Sequence, residues 1–438
     1  MPRPRCTVVS AVSSVPKGTT TPSDPESAWT QRVITLEPKS RGIFIWTDTL
    51  RASLPEMRDV RVGMVNLFLR STTGALTVNE NCDPDVRTDM QNALEAIVPR
   101  DADEARAALV GCSIDLPIQD SRLALGTWQG LYLLAPRAGP VEVVATLVNM
   151  PREDIRIGRR NVKLPAPGRG CHPVRDALED APASSDGASL INVFVKHTSA
   201  SVTVNDANDP HVGSALEAAL NALVPESWNY PGGAVTFRHT DEGDDDMPAH
   251  VKSTLVGASL TLPVDAGAAA VGGTRGVFLC EHRSGGGFGG SGGTRDAVIT
   301  RVRSKKGFAV VLAIDTQRGA GCVDVTGALR DVLRENADVA DVSAGVAHVF
   351  ARRASASLVV GSLEDGFGAS FERILDDAVP RTNARRTNAK TTLASVAVTL
   401  PVSRGTLALG NGQAVFLCDH GSGGDGACEI VVTVCGDE

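Results

Sequence analysis

Two stretches of the chain alternate apolar and polar residues and then change period. VGMVNLFLRSTTGALTV, from Val62, and GASLINVFVKHTSASVTV, from Gly187, each run into a polar turn closed by Asp-Pro. Each continues into a segment with apolar residues at helical spacing, which predicts strand, loop and helix in both places. Ser71–Pro99 and His197–Pro225 share T-V-N-[ED]-x-x-D-P-x-V followed by A-L-x-A-[IL]-V-P, in register throughout. Asp83-Pro84 and Asp209-Pro210 suit a helix start, because proline at the first helical position lacks only an N–H that the helix leaves unpaired anyway.

The pattern occurs a third time in a worn form, AGVAHVFARRASASLVV from Ala344. GIFIWTDTL, GCHPVRDAL and GCVDVTGAL precede the three alternating stretches, and a Leu-Pro-[IV] strand follows each of them. GTWQGLYLL, GTRGVFLCEH and GNGQAVFLCDH then take equivalent places, and VEVVATLVN, DAVITRVR and EIVVTVCG close the repeats. The divisions expected are a tail at 1–28 and units at 29–150, 151–306 and 307–438. Each unit is β-rich with one or two helices and no regular βαβ alternation, so the fold class is α+β. Units of this size are whole domains. Three homologous ones in a single chain imply a covalent counterpart of a homotrimer, a ring with pseudo-threefold symmetry closed by head-to-tail contacts.

Composition narrows the possibilities. At 438 residues the chain exceeds one ordinary core, and it contains no apolar run near the twenty residues of a membrane span. Its net charge of -8 argues against general nucleic-acid binding. Nine cysteines without a CxxC pair point to reduced, structural thiols. The first 28 residues hold Arg3, Arg5 and Lys17 and no acid before Asp24, a flexible tail or a weak organellar presequence, so the expected location is intracellular, cytoplasmic or organellar. GGGFGGSGG at 285–293 is expected to be a flexible hairpin loop.

HTSASVTVND from His197, FRHTDEGDDDMPAHVKSTLVGASLTLP from Phe237, LGTWQG from Leu125 and FLCEHR from Phe278 resemble the YjbQ-like family. That family forms trimers and is associated with a secondary thiamine-phosphate synthase activity. The family pattern joins a His-Thr strand, an Asn-Glu turn with a downstream Asp, a His-rich acidic loop and a Gly-Thr-Trp-Gln turn in one subunit. No unit here keeps all four. Unit one retains Asn79, Glu80, Asp83, Asp89 and Gln129 but has Ser71 at the histidine position. Unit two retains His197, His239 and His250, with Asp206 for the glutamate, Ala215 where unit one has Asp89, and Arg275 where unit one has Gln129. Unit three has Arg353 at the histidine position, Gly361-Ser362 at the Asn-Glu turn, and keeps Gln413. Complementary loss of this kind is expected if one composite site survives, with histidines from unit two and the Asn79-Glu80 or Gln129 side from a neighbour.

The candidate catalytic residues are therefore His197, His239, His250, Glu242, Glu80 and Gln129. His197, His239 and His250 are also candidate ligands for a divalent metal, Zn or Mg, since imidazole suits both metal binding and proton transfer. Asn79 and Asn205 could orient a ligand or simply close their turns. Arg283 and Arg295, flanking the glycine-rich stretch, could receive a phosphate or be plain surface charges. The run Asp244–Asp246 is expected to be solvated, and Trp128 to pack in the core. Two functions are open. One is an enzyme acting on a small phosphorylated ligand, which the resemblance would make a thiamine-phosphate synthase-type transferase. The other is an inactive pseudo-enzyme serving as a scaffold or docking subunit in a larger assembly of proteins. In either case a single chain with internal threefold pseudo-symmetry should be the solution species.

Overall fold

A computed structural model describes residues 6–13, 28–150, 158–174, 188–230, 232–265, 267–284, 293–304, 306–316, 321–336, 339, 342–421 and 427–437. In unit one, antiparallel strands Trp29–Leu36, Val141–Asn149, Val62–Leu69, Ser113–Gln119 and Arg122–Leu123 make a sheet in that spatial order. A smaller sheet, Gly42–Ile45, Gln129–Ala135 and Ala75–Glu80, stands beside it. Units two and three repeat both orders. Among the described residues no helix is long and apolar enough to cross a membrane.

The central strand Val62–Leu69 is buried on both faces despite its alternating sequence. Val65, Leu67 and Leu69 belong to one core cluster. Met64, on the opposite face, meets Leu190 and Val346, its counterparts in the other units, in a cluster of their own. The second face of each strand is thus turned towards the other two units rather than to water. The ring follows from one contact made three times. The helix Asp246–Val256 of unit two packs on strand Ala75–Glu80 of unit one, Arg386–Leu393 of unit three on Ala200–Asp206 of unit two, and Asp103–Val110 of unit one on Ala356–Ser362 of unit three. A heterologous contact repeated in one sense closes after three steps. At the centre one Asp115 carboxylate oxygen accepts hydrogen bonds from the hydroxyls of Thr261 and Thr399, both at 2.6 Å, which joins equivalent positions of all three units.

The structure departs from sequence expectation in several places. Within the anticipated tail, Cys6–Ser13 is a strand that pairs antiparallel with Lys306–Ile314 and extends the sheet of unit three. The helix that follows the Asp-Pro turn of unit one begins at Pro84 with Asp83 capping it, as its sequence implies, whereas its counterpart begins at Val212, although Asp209 accepts the backbone N–H of His211 as Asp83 accepts that of Asp85. Cys322 and Cys418 form a disulfide, so the cysteines are not all reduced. Trp128 is 57% exposed, because its turn lies at the surface and its neighbour Gln129 points inward instead. The glycine-rich stretch lies outside the described residues apart from Gly293.

Candidate functional site

Where the helix Asp246–Val256 crosses unit one, two polypeptide segments far apart in sequence bring their ionisable groups together. Glu80 ends a strand of unit one, and Asp83 caps the helix that follows it. Unit two contributes His239 from a loop and Asp246 and His250 from one helix face, four residues apart. Ligand atoms of Glu80, His239 and His250 all lie within 4.8 Å of one another. The two imidazoles are 5.6 Å apart between ring centres.

The Nδ1 atoms of both rings face oxygen acceptors. His239 Nδ1 donates to Asp83 Oδ2 at 2.6 Å, and His250 Nδ1 to the carbonyl oxygen of Thr198 at 3.2 Å. The Nε2 atoms therefore face the carboxylates. His239 Nε2 is 2.8 Å from Asp246 Oδ2, and His250 Nε2 is 3.1 Å from Glu80 Oε2 and 3.6 Å from the same Asp246 oxygen. His250 Nε2 is buried without an aligned hydrogen bond. Burial opposes the charged form of both histidines, but hydrogen bonds to Asp246 and Asp83 outweigh it for His239, and the nearby carboxylates of Asp246 and Glu80 outweigh it for His250, raising each to about 9. Asp246 is held well below the usual carboxylate range, since its bond to His239 and the positive charges of His250 and Arg283 overcome its burial.

Asp89 fixes the loop carrying His239. It is fully buried, and its Oδ2 accepts the backbone N–H groups of Arg238 at 2.7 Å and His239 at 2.9 Å. Asn79 fixes the helix: its amide donates to the carbonyl of His250 and the hydroxyl of Thr254, each at 2.8 Å, while its own oxygen accepts from Glu80 N–H. Gln129 clamps the His197 strand, donating to the carbonyls of Val195 and His197 at 3.1 and 3.0 Å. Gly126 in the same turn allows the approach, because a Cβ there would stand 2.5 Å from the Lys196 carbonyl oxygen.

The other residues singled out from the sequence fall in different places. His197 is absent from the close donor set; Glu80 completes it instead. His197 Nδ1 accepts the N–H of Ser199 at 3.1 Å, and burial, then the positive charges of Arg295, His250 and Arg283, depress it to about 3. It is thus a neutral imidazole with its proton on Nε2. Glu242 is not at the centre, since it reaches outward to pair with Arg283 at 3.0 Å. Arg283 also pairs with Asp246 Oδ1 at 2.8 Å, and Arg295 pairs with the buried Glu281 at 2.6 Å, so both guanidiniums already hold carboxylates. Asn205 is a clamp like Asn79, donating to Asn388 and Thr392 of unit three. Of the run expected to be solvated, Asp246 is only 1% exposed. Its four-residue spacing from His250, itself four before Thr254, is the sequence signal for that role, since such positions share a helix face.

The equivalent places at the other interfaces are filled differently. Asn388 stands opposite Asn205 where His250 stands opposite Asn79, and Arg385 pairs with Asp209, the counterpart of Asp83. At the third interface Gly361 and Ser362 replace Asn79 and Glu80.

A family profile described as "UPF0047 protein YjbQ-like" matches three regions, 32–148, 160–303 and 310–437. UPF0047 protein YjbQ of Salmonella typhimurium is 38% identical over 134 residues, covering 27% of this chain and 97% of that protein. A UPF0047 protein of Synechocystis is 43% identical over 94 residues, covering 22% and 60%. A solved structure from Clostridium acetobutylicum aligns at 28% identity with a TM-score of 0.26, covering 27% of this chain and 99% of that one. One from Sulfolobus solfataricus, titled a YbjQ-like protein of unknown function, aligns at 16% identity with a TM-score of 0.26, covering 28% and 100%. The chain belongs to the YjbQ-like UPF0047 family and carries three copies of its domain in one polypeptide.

Proposed function

We propose that the chain is an enzyme with one divalent-metal centre, built by Glu80 of unit one and His239 and His250 of unit two, which acts on a small phosphorylated ligand. The observation that carries this reading is the paired arrangement of the histidines. Each has Nδ1 held by an oxygen acceptor and Nε2 turned towards a carboxylate, the outer-shell pattern that fixes an imidazole for ligation. The unaligned, buried Nε2 of His250 fits a ligand atom better than a satisfied core group. Two imidazoles and a carboxylate favour Zn or a similar transition ion over Mg, which prefers an all-oxygen shell.

A bound metal would supply Lewis acidity towards a phosphoryl oxygen or a departing pyrophosphate. The chain's own residues hold the surroundings. Asp83 and Thr198 set the tautomers, Asp89 and Asn79 fix the backbones of His239 and His250, and Arg283 balances Asp246. His197, with Nε2 protonated, is a neutral hydrogen-bond donor for an anionic group. Joining a pyrimidine diphosphate to a thiazole phosphate, the family's associated reaction, falls within this chemistry and is the first substrate pair to assay.

The test is metal content by elemental analysis, alongside thiamine-phosphate formation, for the purified protein and for His250→Ala shown to be folded. Bound metal and turnover that both vanish in the variant support the reading. The competing scaffold reading draws on the two altered interfaces, where an Arg385–Asp209 pair and a Gly361-Ser362 turn stand in place of the histidine and glutamate. Absence of both metal and turnover in the folded parent protein would favour it.

A further inference from the structure

We infer that Cys171 and Cys280 form a second, reversible disulfide in unit two, oxidised by a low-molecular-weight disulfide such as glutathione disulfide. The three units present the same pair of positions on the same antiparallel ladder. Gly42 faces Ala135, Gly170 faces Glu281 and Gly321 faces Asp419, so the next rung is Ile43 with Leu134, Cys171 with Cys280, and Cys322 with Cys418. In unit three this rung is a disulfide. In unit two both partners are free thiols. The equivalent backbone already accommodates a bond, and directly opposed residues of paired strands meet the short Cα separation a disulfide requires.

The two thiols are neighbours. The Cys280 sulfur first, and burial second, push the Cys171 thiol well above its ordinary range, which slows its uncatalysed oxidation. Both cysteines are buried in the core, and Cys171 borders a groove of about 440 Å³ that also includes Arg169, His172, Asp209, Ser214 and Glu217, the side from which a small disulfide would have to reach it. The charged groups there are paired with one another, Arg169 with Glu217 and Asp209 with Arg385, so the wall does not repel a small zwitterionic peptide disulfide.

The exchange balances without any further reactant. The Cys171 thiolate attacks one sulfur of the small disulfide, forming a mixed disulfide and releasing one thiolate. The Cys280 thiolate then attacks Cys171 Sγ, closing the protein bond and releasing the second small thiolate. Two protein thiols are oxidised, one small disulfide is reduced to two thiols, and the two protons from the cysteines end on those thiols. The bond would tie strand Gly170–Pro173 to strand Arg275–Glu281, just ahead of Arg283 and its contact with Asp246.

Full-length protein equilibrated in glutathione buffers of rising disulfide fraction, then alkylated and mapped by peptide mass, tests this. Cys171 and Cys280 should lose their reactivity together and appear as one linked peptide pair, which returns to two alkylated peptides when the buffer is made reducing. The Cys280→Ser variant, verified as folded by circular dichroism, should instead trap a glutathione adduct on Cys171. The inference is overturned if both cysteines stay alkylatable across the whole series, if they pair only after denaturation, or if the variant traps no adduct. The Cys322–Cys418 linkage, read in the same samples, verifies that the mapping detects cross-strand bonds.

Discussion

Asp246 gathers the site at the scale of single residues. One of its oxygens stands between His239 and His250, and the other takes Arg283. Removing it leaves three cationic partners around a buried gap, so Asp246→Ala should lower the stability of the folded protein by about 3 kcal/mol or more in urea titration. An unchanged midpoint would refute the arrangement. The raised histidines give a pH dependence with a definite sign. In metal-free protein, imidazoliums held at about 9 stabilise the fold fully below the unfolded value near 6.5, and that contribution fades as pH rises through 9. The depressed Asp246 acts at the other end, its contribution fading as pH falls below the ordinary carboxylate range. The melting temperature of the metal-free protein should therefore fall as pH rises from 6.5 to 9, and fall less in His250→Gln, which lacks one of the two raised groups. Proton competition also implies that affinity for Zn strengthens from pH 6 to 8 by roughly tenfold per unit for each proton displaced, measurable with a competing chelator.

Elements decide which unit supplies which group. Asn79 and Asn205 sit at the same point of equivalent strands and clamp equivalent helices, but only the helix held by Asn79 carries His250. Asn79→Ala and Asn205→Ala should each destabilise by about 1–3 kcal/mol, because each strands a buried carbonyl and hydroxyl. Metal affinity should fall for Asn79→Ala alone, and equal losses for both variants would contradict the assignment of the site to this interface. The strand-loop-helix succession of each unit was legible because periodicity changes from two to 3.6 within a single stretch. Cys6–Ser13 was not, since an edge strand flanked by polar residues carries little periodic signal, and its pairing partner lies some three hundred residues away. The start at Val212 rather than Pro210 left no mark in the sequence, since Asp83 and Asp209 accept the same N–H two residues on.

At the scale of the whole molecule, three head-to-tail contacts satisfy one another within a single chain. Light scattering should give a mass near 45.7 kDa rather than three times that value. The centre of the ring has its own prediction. Asp115 is buried between Thr261, Thr399 and Asn66, and burial raises its carboxyl above the ordinary range. A carboxyl raised in the folded state stabilises the protein below its unfolded value and loses that contribution as pH rises through the folded one. Asp115→Asn should accordingly narrow the difference in melting temperature between pH 4 and pH 8. It should remain folded, because Asn66 has an unpaired Oδ1 available to accept from the new amide on turning its own.

The sequence by itself determined the threefold repetition, the α+β character of each unit and the complementary retention of Glu80 by one copy and of His239 and His250 by another. Repetition and period are properties of neighbouring residues, so they survive in a linear record. Tertiary structure alone decided that Glu80 and Asp83 meet those histidines, that Glu242 and His197 stand outside the close set, and that Asp246 is inside it. The reason is physical. A carboxylate in an acidic run reads as solvated until a helix face and a neighbouring domain remove its water, and only the closure of the ring determines which domain that is.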